Sequence, residues 1–288
     1  MVSALQITDL TKEYPGFKLD HVSFTLPQGT IMGLIGENGA GKSTTINAIL
    51  DLIKRDEGSV TFWGEELSKN PRQLKENIGV VFDGINFYET LTPVKVGKIS
   101  AAAYRQWNPV VYKDYYLDKF QLPSNQEIKT FSKGMKMKLC IANALSHDSK
   151  LLILDEATSG LDPVMRDDIL DIFLDYIQDE NHSILMSSHI TTDLEKIADY
   201  VTFIHEGKIV FSKTKDELIY NYGILRCSKD DFDRIDPGDI LAYRKEDYQW
   251  NVLVADRDKA MAHYRNVIVD HPTIDDILLL YVKGEASK

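Results

Sequence analysis

A glycine-rich turn between an apolar segment and a helical segment most strongly limits how this chain can fold. The turn is GENGAGKST, residues 36–44; it follows IMGLI and precedes TTINAILDLI, whose apolar spacing is typical of a helix. Its glycines, Gly36, Gly39 and Gly41, let the backbone curl so that several N–H groups converge at the helix start. The sequence therefore matches the G-x-x-x-x-G-K-[ST] pattern of a phosphate-binding loop.

Two side chains of this loop have the chemistry that a nucleotide and its magnesium ion require. Lys42 would reach the β- and γ-phosphates, and the hydroxyl of Ser43 would bind Mg²⁺. The alternative is a glycine-rich turn that carries an incidental lysine, but the flanking strand and helix argue against it. We therefore predict a nucleotide site with bound Mg²⁺.

Composition and charge exclude several classes of function. The chain has 288 residues, which favours one or two domains, and 33 basic against 44 acidic residues give a net charge of −11. This charge argues against nucleic-acid binding and against direct adhesion to anionic lipid. No apolar run approaches the roughly 18 residues of a membrane span, and the N-terminus is too charged for a signal peptide. We expect a soluble intracellular protein that contacts a membrane only through a protein partner.

The order of apolar runs predicts an α/β fold with a helical insert and a small C-terminal appendage. Strand-like runs fill the chain up to NIGVVFD, residues 89–147 have mostly helical spacing, and three further strand segments follow. The last of these, YVTFIHEGKIVF, reads as a hairpin that turns at Glu206-Gly207. We place a domain boundary after residue 212 and predict an α+β appendage over residues 213–288, whose last helix is capped by Thr273.

An acidic pair ends a predicted buried strand in LLILDEATSGLDP, residues 151–163. Because consecutive strand residues point to opposite sides, Asp155 can hold Mg²⁺ while Glu156 polarises an attacking water. Such a pair alone is more often the start of a solvated loop, but the phosphate loop elsewhere favours the functional interpretation. In the same stretch, Asp162 and Pro163 are typical of a helix N-cap and first helical position.

A histidine ends another predicted strand, SILMSSHI. His189 would lie on the edge where α/β sheets bind ligands. A lone histidine there is more often a bystander, yet beside a phosphate loop and an acidic strand end we predict that it contacts the γ-phosphate.

In the order of these motifs, residues 3–212 resemble the nucleotide-binding subunit of an ATP-binding cassette (ABC) transporter. The resemblance implies a P-loop ABC ATPase core with a mixed sheet, an antiparallel β subdomain and a helical subdomain over residues 89–147. It implies ATP and Mg²⁺ as ligands, Asp155 as the Mg²⁺ aspartate, Glu156 as the catalytic glutamate and His189 as the switch histidine. Tyr14 lies where the family places an aromatic residue under adenine, although it could also pack at a strand end. The implied ATP-binding residues are Tyr14, Gly36, Asn38, Gly39, Ala40, Gly41, Lys42, Ser43, Thr44, Asp83, Ser132, Lys133, Gly134 and Asp162.

The family's signature turn, commonly Leu-Ser-Gly-Gly-Gln, reads FSKGM here, at residues 131–135. Ser132 and Gly134 are kept, so a hydroxyl and a helix-start N–H remain available for a γ-phosphate. The resemblance implies that this nucleotide belongs to a second ABC ATPase subunit, identical or different, in a head-to-tail dimer. Lys133 and Met135 depart from the pattern: Lys133 adds a cation, whereas Met135 lacks the polar end of glutamine. The alternative is a simple capped helix start.

A second departure is Asp83, which stands at the end of IGVVFDG where the family has a glutamine that contacts Mg²⁺ or the attacking water. At an effective dielectric constant of about 20, two unit charges about 6 Å apart repel by roughly 3 kcal/mol, so this carboxylate beside Glu156 needs a cation. We expect Mg²⁺ or Lys133 of the partner subunit; the alternative is a loop cap before Gly84. Residues 82–92 are expected to lie nearest the groove that receives a helix of the membrane subunit.

The resemblance implies an ATPase that powers a separate transmembrane permease at the cytoplasmic face of the cell membrane. The signature SKGM and the tail PTIDDILLLYVKG resemble exporters of the bacterial multidrug and antimicrobial-peptide branch, in which exporters of phenol-soluble modulins are one candidate. The alternative is a soluble ABC-type ATPase not coupled to transport, but its chromosome-maintenance type needs a long coiled coil and its translation type two cassettes. A GTPase would need an Asn-Lys-x-Asp segment, which the sequence lacks.

Overall fold

The computed structural model describes residues 2–84, 87–246, 248–265 and 267–286. Its strands are β1 (Ser3–Tyr14), β2 (Phe17–Pro27), β3 (Ile31–Ile35), β4 (Glu57–Phe62), β5 (Glu65–Glu66), β6 (Ile78–Val81), β7 (Leu151–Asp155), β8 (Ser183–Ser188), β9 (Tyr200–His205), β10 (Lys208–Thr214), β11 (Gly223–Cys227), β12 (Ala242–Lys245), β13 (Trp250–Val254), β14 (Ile268–Asp270) and β15 (Glu285–Ala286).

Its α-helices are α1 (Lys42–Ile49), α2 (Pro71–Glu76), α3 (Pro93–Ala103), α4 (Pro109–Lys113), α5 (Lys133–Ala144), α6 (Pro163–Tyr176), α7 (Thr191–Ile197), α8 (Lys229–Phe232), α9 (Arg257–His263) and α10 (Ile274–Lys283). Single turns of other helix types cover Asp114–Lys119, Ile128–Thr130, Leu145–His147, Glu217–Asn221 and Pro237–Asp239. Within the residues described, no helix is both long and apolar enough to cross a bilayer.

A six-stranded sheet of order β10-β9-β3-β8-β7-β6 forms the centre of the fold. The strands from β9 to β6 are parallel, and every residue of β3, β7 and β8 is buried, as expected for strands covered on both faces. The carboxyl ends of parallel strands share one edge, which brings together the segments after β3, β6, β7 and β8. These segments carry the phosphate loop, Asp83, Glu156 and His189.

A second, antiparallel sheet of order β2-β1-β4-β5 packs against the central sheet. The hairpin predicted at Glu206-Gly207 joins β9 and β10; both turn residues have positive φ, 46° and 76°, which suits the twist of a two-residue hairpin turn. The mixed sheet and the antiparallel sheet confirm the predicted fold class.

The helical insert contains α3, α4 and α5, with short turns between them. Tyr112, Tyr115, Tyr116 and Phe120 form an aromatic stripe in this insert. Tyr112, Tyr116 and Phe120 are buried in the core, whereas Tyr115 is only partly buried. The hydroxyl of Tyr112 donates to the carbonyl of Pro93 at 2.8 Å, so the stripe also ties α4 to the start of α3. The proposed permease groove at residues 82–92 includes residues 85 and 86, which lie outside the described residues.

A third sheet, of antiparallel order β14-β11-β13-β12-β15, forms the C-terminal part. The predicted cap is present: Thr273 accepts from the N–H of Asp276, whose carboxylate accepts from Thr273 in return, and α10 begins there. From α10, Ile274, Ile277 and Leu280 are buried in the same core cluster as Phe203 and Phe211 of the central sheet. The division at residue 212 falls within β10 and stays a prediction.

Candidate nucleotide site

The phosphate loop between β3 and α1 depends on its glycines for close packing. A Cβ at Gly36 would lie 2.3 Å from the carbonyl oxygen of Ile204, and a Cβ at Gly41 would lie 2.7 Å from Leu19 Cδ2. Gly41 also has φ 113°, in the left-handed region that favours glycine. The loop therefore packs closely between β9 and β2, and its curled backbone leads into α1.

Lys42 is the first residue of α1 and is buried. Its Nζ donates to the carbonyl oxygens of Gly36 at 2.8 Å and Glu37 at 3.2 Å, so the side chain folds back over its own loop. The same Nζ lies 3.4 Å from Glu156 Oε1. The ammonium group therefore lies inside the loop and forms an ion pair with the carboxylate of Glu156, which follows β7.

Glu156 contacts two other predicted site residues, Lys42 and His189. Its second carboxylate oxygen lies 2.6 Å from His189 Nδ1, while the first faces Lys42. The residue is buried and has φ 52°, an unusual conformation for a glutamate. Parallel pairing of β7 with β8 brings the two strand ends together, as the motifs predicted.

Asp155, the last residue of β7, is buried and accepts a hydrogen bond from Ser187 Oγ at 2.6 Å. Ser187 Oγ also accepts from the N–H of Glu156 at 3.1 Å, so one hydroxyl holds both acidic residues. Sequence reasoning missed Ser187. Its position near the end of a predicted strand, two residues before His189, could have indicated that it lies in the site. The carboxylates of Asp155 and Glu156 have different partners, but β7 ends at Asp155 and Glu156 has a positive φ, so the alternation of strand residues is not the reason.

The donor set fits Mg²⁺ bound together with nucleotide phosphates. Mg²⁺ usually takes one or two carboxylates and completes its shell with phosphate oxygens and waters. The exposed hydroxyl of Ser43 at the start of α1 and the carboxylate of Asp155 are such donors. Across the described residues, no group of three or more His, Cys, Asp or Glu side chains could hold a metal without other ligands.

The signature residues Ser132 and Gly134 cap and pack the helix that they begin, α5. Ser132 caps α5 by accepting from the N–H of Met135 at 3.2 Å, as the alternative interpretation also predicted. A Cβ at Gly134 would lie 2.4 Å from Met165 Sδ, so Gly134 permits the contact of α5 with α6. Among the described residues, no hydrogen bond or ion pair joins Ser132 or Gly134 to the phosphate loop.

Comparisons with known proteins agree with this geometry. The family model described as "ABC transporter" matches residues 19–159. The bacitracin transport ATP-binding protein BcrA of Bacillus licheniformis is 36% identical over 217 residues, covering 73% of this chain and 69% of that protein. The lantibiotic transport ATP-binding protein SrtF of Streptococcus pyogenes is 35% identical over 229 residues, covering 77% and 97%. The chain belongs to the ABC transporter ATP-binding family.

A solved ATP-binding subunit of an ABC transporter has a TM-score of 0.68 and 29% identity to this chain, covering 75% of it and 92% of that structure. As a member of the family, this protein binds ATP and is an ATPase coupled to transport. The roles of its individual residues remain predictions from the motifs and the geometry.

Asp83 of this ABC ATPase pairs within its own chain. Its Oδ1 lies 3.6 Å from Lys133 Nζ, and both side chains are about half exposed, at 54% and 52%. The sequence predicts Mg²⁺ or Lys133 of the partner subunit as the cation beside Asp83; in this structure Lys133 of the same chain is the nearby cation. The Lys133 side chain also lies along Gly160, where a Cβ would be 3.0 Å from its Nζ. Lys133 therefore joins the loop after β6 to residues 159–162, which the resemblance identifies as the family's interdomain loop.

Two other predicted residues have local partners. Asp162 caps α6 by accepting from the N–H of Met165 at 3.0 Å, and Pro163 follows at the first helical position, which confirms the predicted cap. Tyr14 ends β1 and is 39% exposed, with Lys12 Nζ 5.3 Å from the ring centroid. Its ring is open to solvent, as a stacking platform for adenine has to be; that role stays a prediction.

A cavity of about 520 Å³ borders the phosphate loop and has α10 as one wall. Glu37, Asn38 and His189 line it on the side of the ATPase core, and Asp275, Leu279 and Lys283 line it on the side of α10. The sequence predicts only an appendage over residues 213–288 and does not place α10 beside the phosphate loop. The apolar residues on more than one face of α10 were the available signal.

Proposed function

We propose that this ATPase works as a head-to-tail dimer that hydrolyses ATP with Mg²⁺ and drives export of peptides or drugs by a separate transmembrane permease. The observation that carries the dimer is the separation of the two half-sites. Lys42, Glu156 and His189 form one cluster, whereas Ser132 and Gly134 make no hydrogen bond or ion pair with it in the described structure. A second subunit would supply the missing signature turn.

The cluster supports a defined order of events at the nucleotide. When ATP binds, Lys42 would leave the Gly36 carbonyl and Glu156 for the phosphates, which attract an ammonium group more strongly than a backbone oxygen does. Glu156 would then accept the proton of the attacking water, and His189 would keep the carboxylate oriented. Mg²⁺ held by Ser43 and Asp155 would neutralise charge on the β- and γ-phosphates.

The names of the relatives support the proposed cargo class. BcrA is named for bacitracin transport and SrtF for lantibiotic transport, and both cargoes are peptide antibiotics. We extend this cargo class to the present chain. We also place the protein at the cytoplasmic face of the membrane, where the permease would hold it. The exposed Tyr88, 83% accessible within the predicted groove, is a suitable anchor for that partner.

The dimer is tested by complementation of half-sites. Lys42→Ala removes the phosphate ligand and Ser132→Arg blocks the signature turn, so each variant alone should be inactive. A mixed dimer contains one site with both defects and one site with neither, so mixing the two should restore hydrolysis. Failure of any mixture to recover activity, with both variants folded, would contradict the proposed dimer.

Transport coupling is tested separately by purifying the ATPase from membranes together with the product of a neighbouring permease gene. We expect a stable complex whose ATPase activity rises when a peptide antibiotic is added. An active dimer with no permease in the complex would favour the alternative of an ABC-type ATPase not coupled to transport.

A further inference from the structure

Three polar side chains lie close together on the segments that follow Glu156 and His189. Thr158 follows β7 in the turn after Glu156, Arg166 lies on α6, and Asp193 lies on α7. Thr158 is fully buried and Asp193 is 3% exposed. Arg166 is partly exposed, with 26% of its side chain accessible. None of the three has a role in the proposed hydrolysis, although a buried carboxylate such as Asp193 is costly without a partner.

The three side chains are close but incompletely paired. Arg166 Nε lies 3.9 Å from Asp193 Oδ1, which is an ion pair but too long for a hydrogen bond. Arg166 Nε, Asp193 Oδ2 and Thr158 Oγ1 are all buried without a hydrogen-bond partner. Burial raises the pKa of Asp193 above its usual range, against the opposing effect of the Arg166 charge. A small approach of Arg166 would therefore satisfy atoms that are now unpaired.

Arg166 is also bonded to the loop at residues 159–162. Its Nη2 donates to the carbonyl oxygen of Leu161 at 3.4 Å, a long hydrogen bond. Leu161 lies within residues 159–162, which the resemblance identifies as the family's interdomain loop. Asp193 lies on α7, four residues after His189, so the Arg166 side chain connects the interdomain loop with the helix that follows the switch histidine.

We propose that Arg166 and Asp193 are positioning residues that transmit docking of the second subunit to His189. When the interdomain loop shifts on docking, Arg166 moves from the Leu161 carbonyl to a full hydrogen bond with Asp193. This bond fixes α7 and, through it, the position of His189 against Glu156, whose separation is 2.6 Å in this structure. The inference rests on the proposed dimer and adds a route from its interface to the catalytic pair.

The chain offers a matched control for this route. Lys196 on α7 lies 2.6 Å from Asp167 and 3.0 Å from Asp171, both on α6, and these pairs are on the surface. They join the same two helices without contacting Thr158 or the interdomain loop. Lys196→Met therefore removes an α6–α7 attraction but leaves the Arg166, Asp193 and Leu161 contacts in place; Lys196 acts on Asp193 only through its charge.

The experiment compares Arg166→Met, Asp193→Asn, the double variant and Lys196→Met at saturating ATP and protein, well below their melting temperatures. We expect kcat to fall about tenfold in each single variant and no further in the double variant, because both act through one bond. ATP affinity should stay unchanged, since neither residue contacts the phosphate loop. Lys196→Met should keep kcat within about twofold of the parent chain.

Combination with His189→Ala decides whether the route ends at the histidine. Asp193→Asn should lower kcat in the parent chain but have no added effect once His189 is absent. Multiplicative losses there, or an equal loss in Lys196→Met, would overturn the proposal in favour of general helix packing. Half-site complementation is measured on the parent chain first, so a failure of the dimer itself is recognised independently of these variants.

Discussion

At the scale of single residues, Glu156 lies between a lysine and a histidine. Its positive φ of 52° costs free energy that the surrounding contacts must offset, and such strain is frequent at functional sites. Lys42 and His189 each approach one carboxylate oxygen. Because Lys42 is also the proposed phosphate ligand, binding of the nucleotide would move the Lys42 ammonium group from the Glu156 carboxylate to the phosphates.

This arrangement predicts the effect of Glu156→Gln. The amide keeps the shape of the side chain but cannot accept a proton, so hydrolysis should slow by about a hundredfold or more. ATP binding should be retained, and ATP-bound dimers should accumulate on size-exclusion chromatography. Glu65→Gln, at an exposed strand residue, is the control and should hydrolyse ATP normally. Near-normal turnover in Glu156→Gln would mean that another group is the base.

The pair of Asp83 and Lys133 makes a second prediction at this scale. An exposed ion pair contributes roughly 0.2–1 kcal/mol, so Asp83→Asn should raise permease-free ATPase activity by no more than about fivefold as Lys133 becomes free for phosphate. The Mg²⁺ concentration for half-maximal activity should also shift, because a negative charge has been removed. Activity is measured against Mg²⁺ with and without the permease, and superimposable curves would leave Asp83 as a loop cap.

Mixed dimers separate an intrachain pair from an intersubunit one. If the pair is within one chain, combining Asp83→Asn with Lys133→Met in the same chain should give no more change than Lys133→Met alone. If Lys133 of the partner subunit were the relevant cation, this non-additivity should appear only when the two substitutions are on different chains.

At the scale of elements, apolar periodicity predicted most of the strands but not their neighbours. The run LLILD predicts a buried strand because all of its residues are apolar until the last, and β7 is that strand. Nothing in the run specifies that β8 lies on one side and β6 on the other. The contacts of Ser187 and Lys133 were missed for the same reason, since they depend on which segments become adjacent. The two-residue strand β5 was missed because Glu65 and Glu66 have low strand propensity.

Helix α10 shows how an element couples the tail to the ATPase core. Ile277 is fully buried, whereas Leu279 on the same helix is 37% exposed. Ile277→Ala should lower the free energy of unfolding by about 2–5 kcal/mol, and the matched Leu279→Ala should cost less than about 1 kcal/mol. Urea titrations followed by circular dichroism provide the measurement. Equal costs at the two positions would contradict the packing of α10 described above.

At the scale of the whole molecule, the C-terminal sheet and the ATPase core are not independent in packing. The ring of Tyr281 on α10 lies 6.3 Å from Phe203 and 5.7 Å from Phe211, measured between centroids. The N–H of Ile274 donates to Glu195 Oε1 of α7 at 2.8 Å, so α10 is also bonded to the helix that follows His189. These contacts join the tail to the core, although the motifs of the chain end before it.

Deletion of residues 216–288 separates the tail's contribution to stability from its contribution to the site. The truncated protein should melt at a lower temperature and tend to aggregate, because Phe203 and Phe211 lose their cover. ATP affinity should be retained at low temperature, since no described hydrogen bond or ion pair joins the tail to Lys42, Glu156 or His189. Nucleotide affinity by calorimetry, with circular dichroism to show that the protein is folded, checks both parts. A folded truncation that no longer binds ATP would place α10 within the nucleotide site, through the cavity that it shares with Asn38.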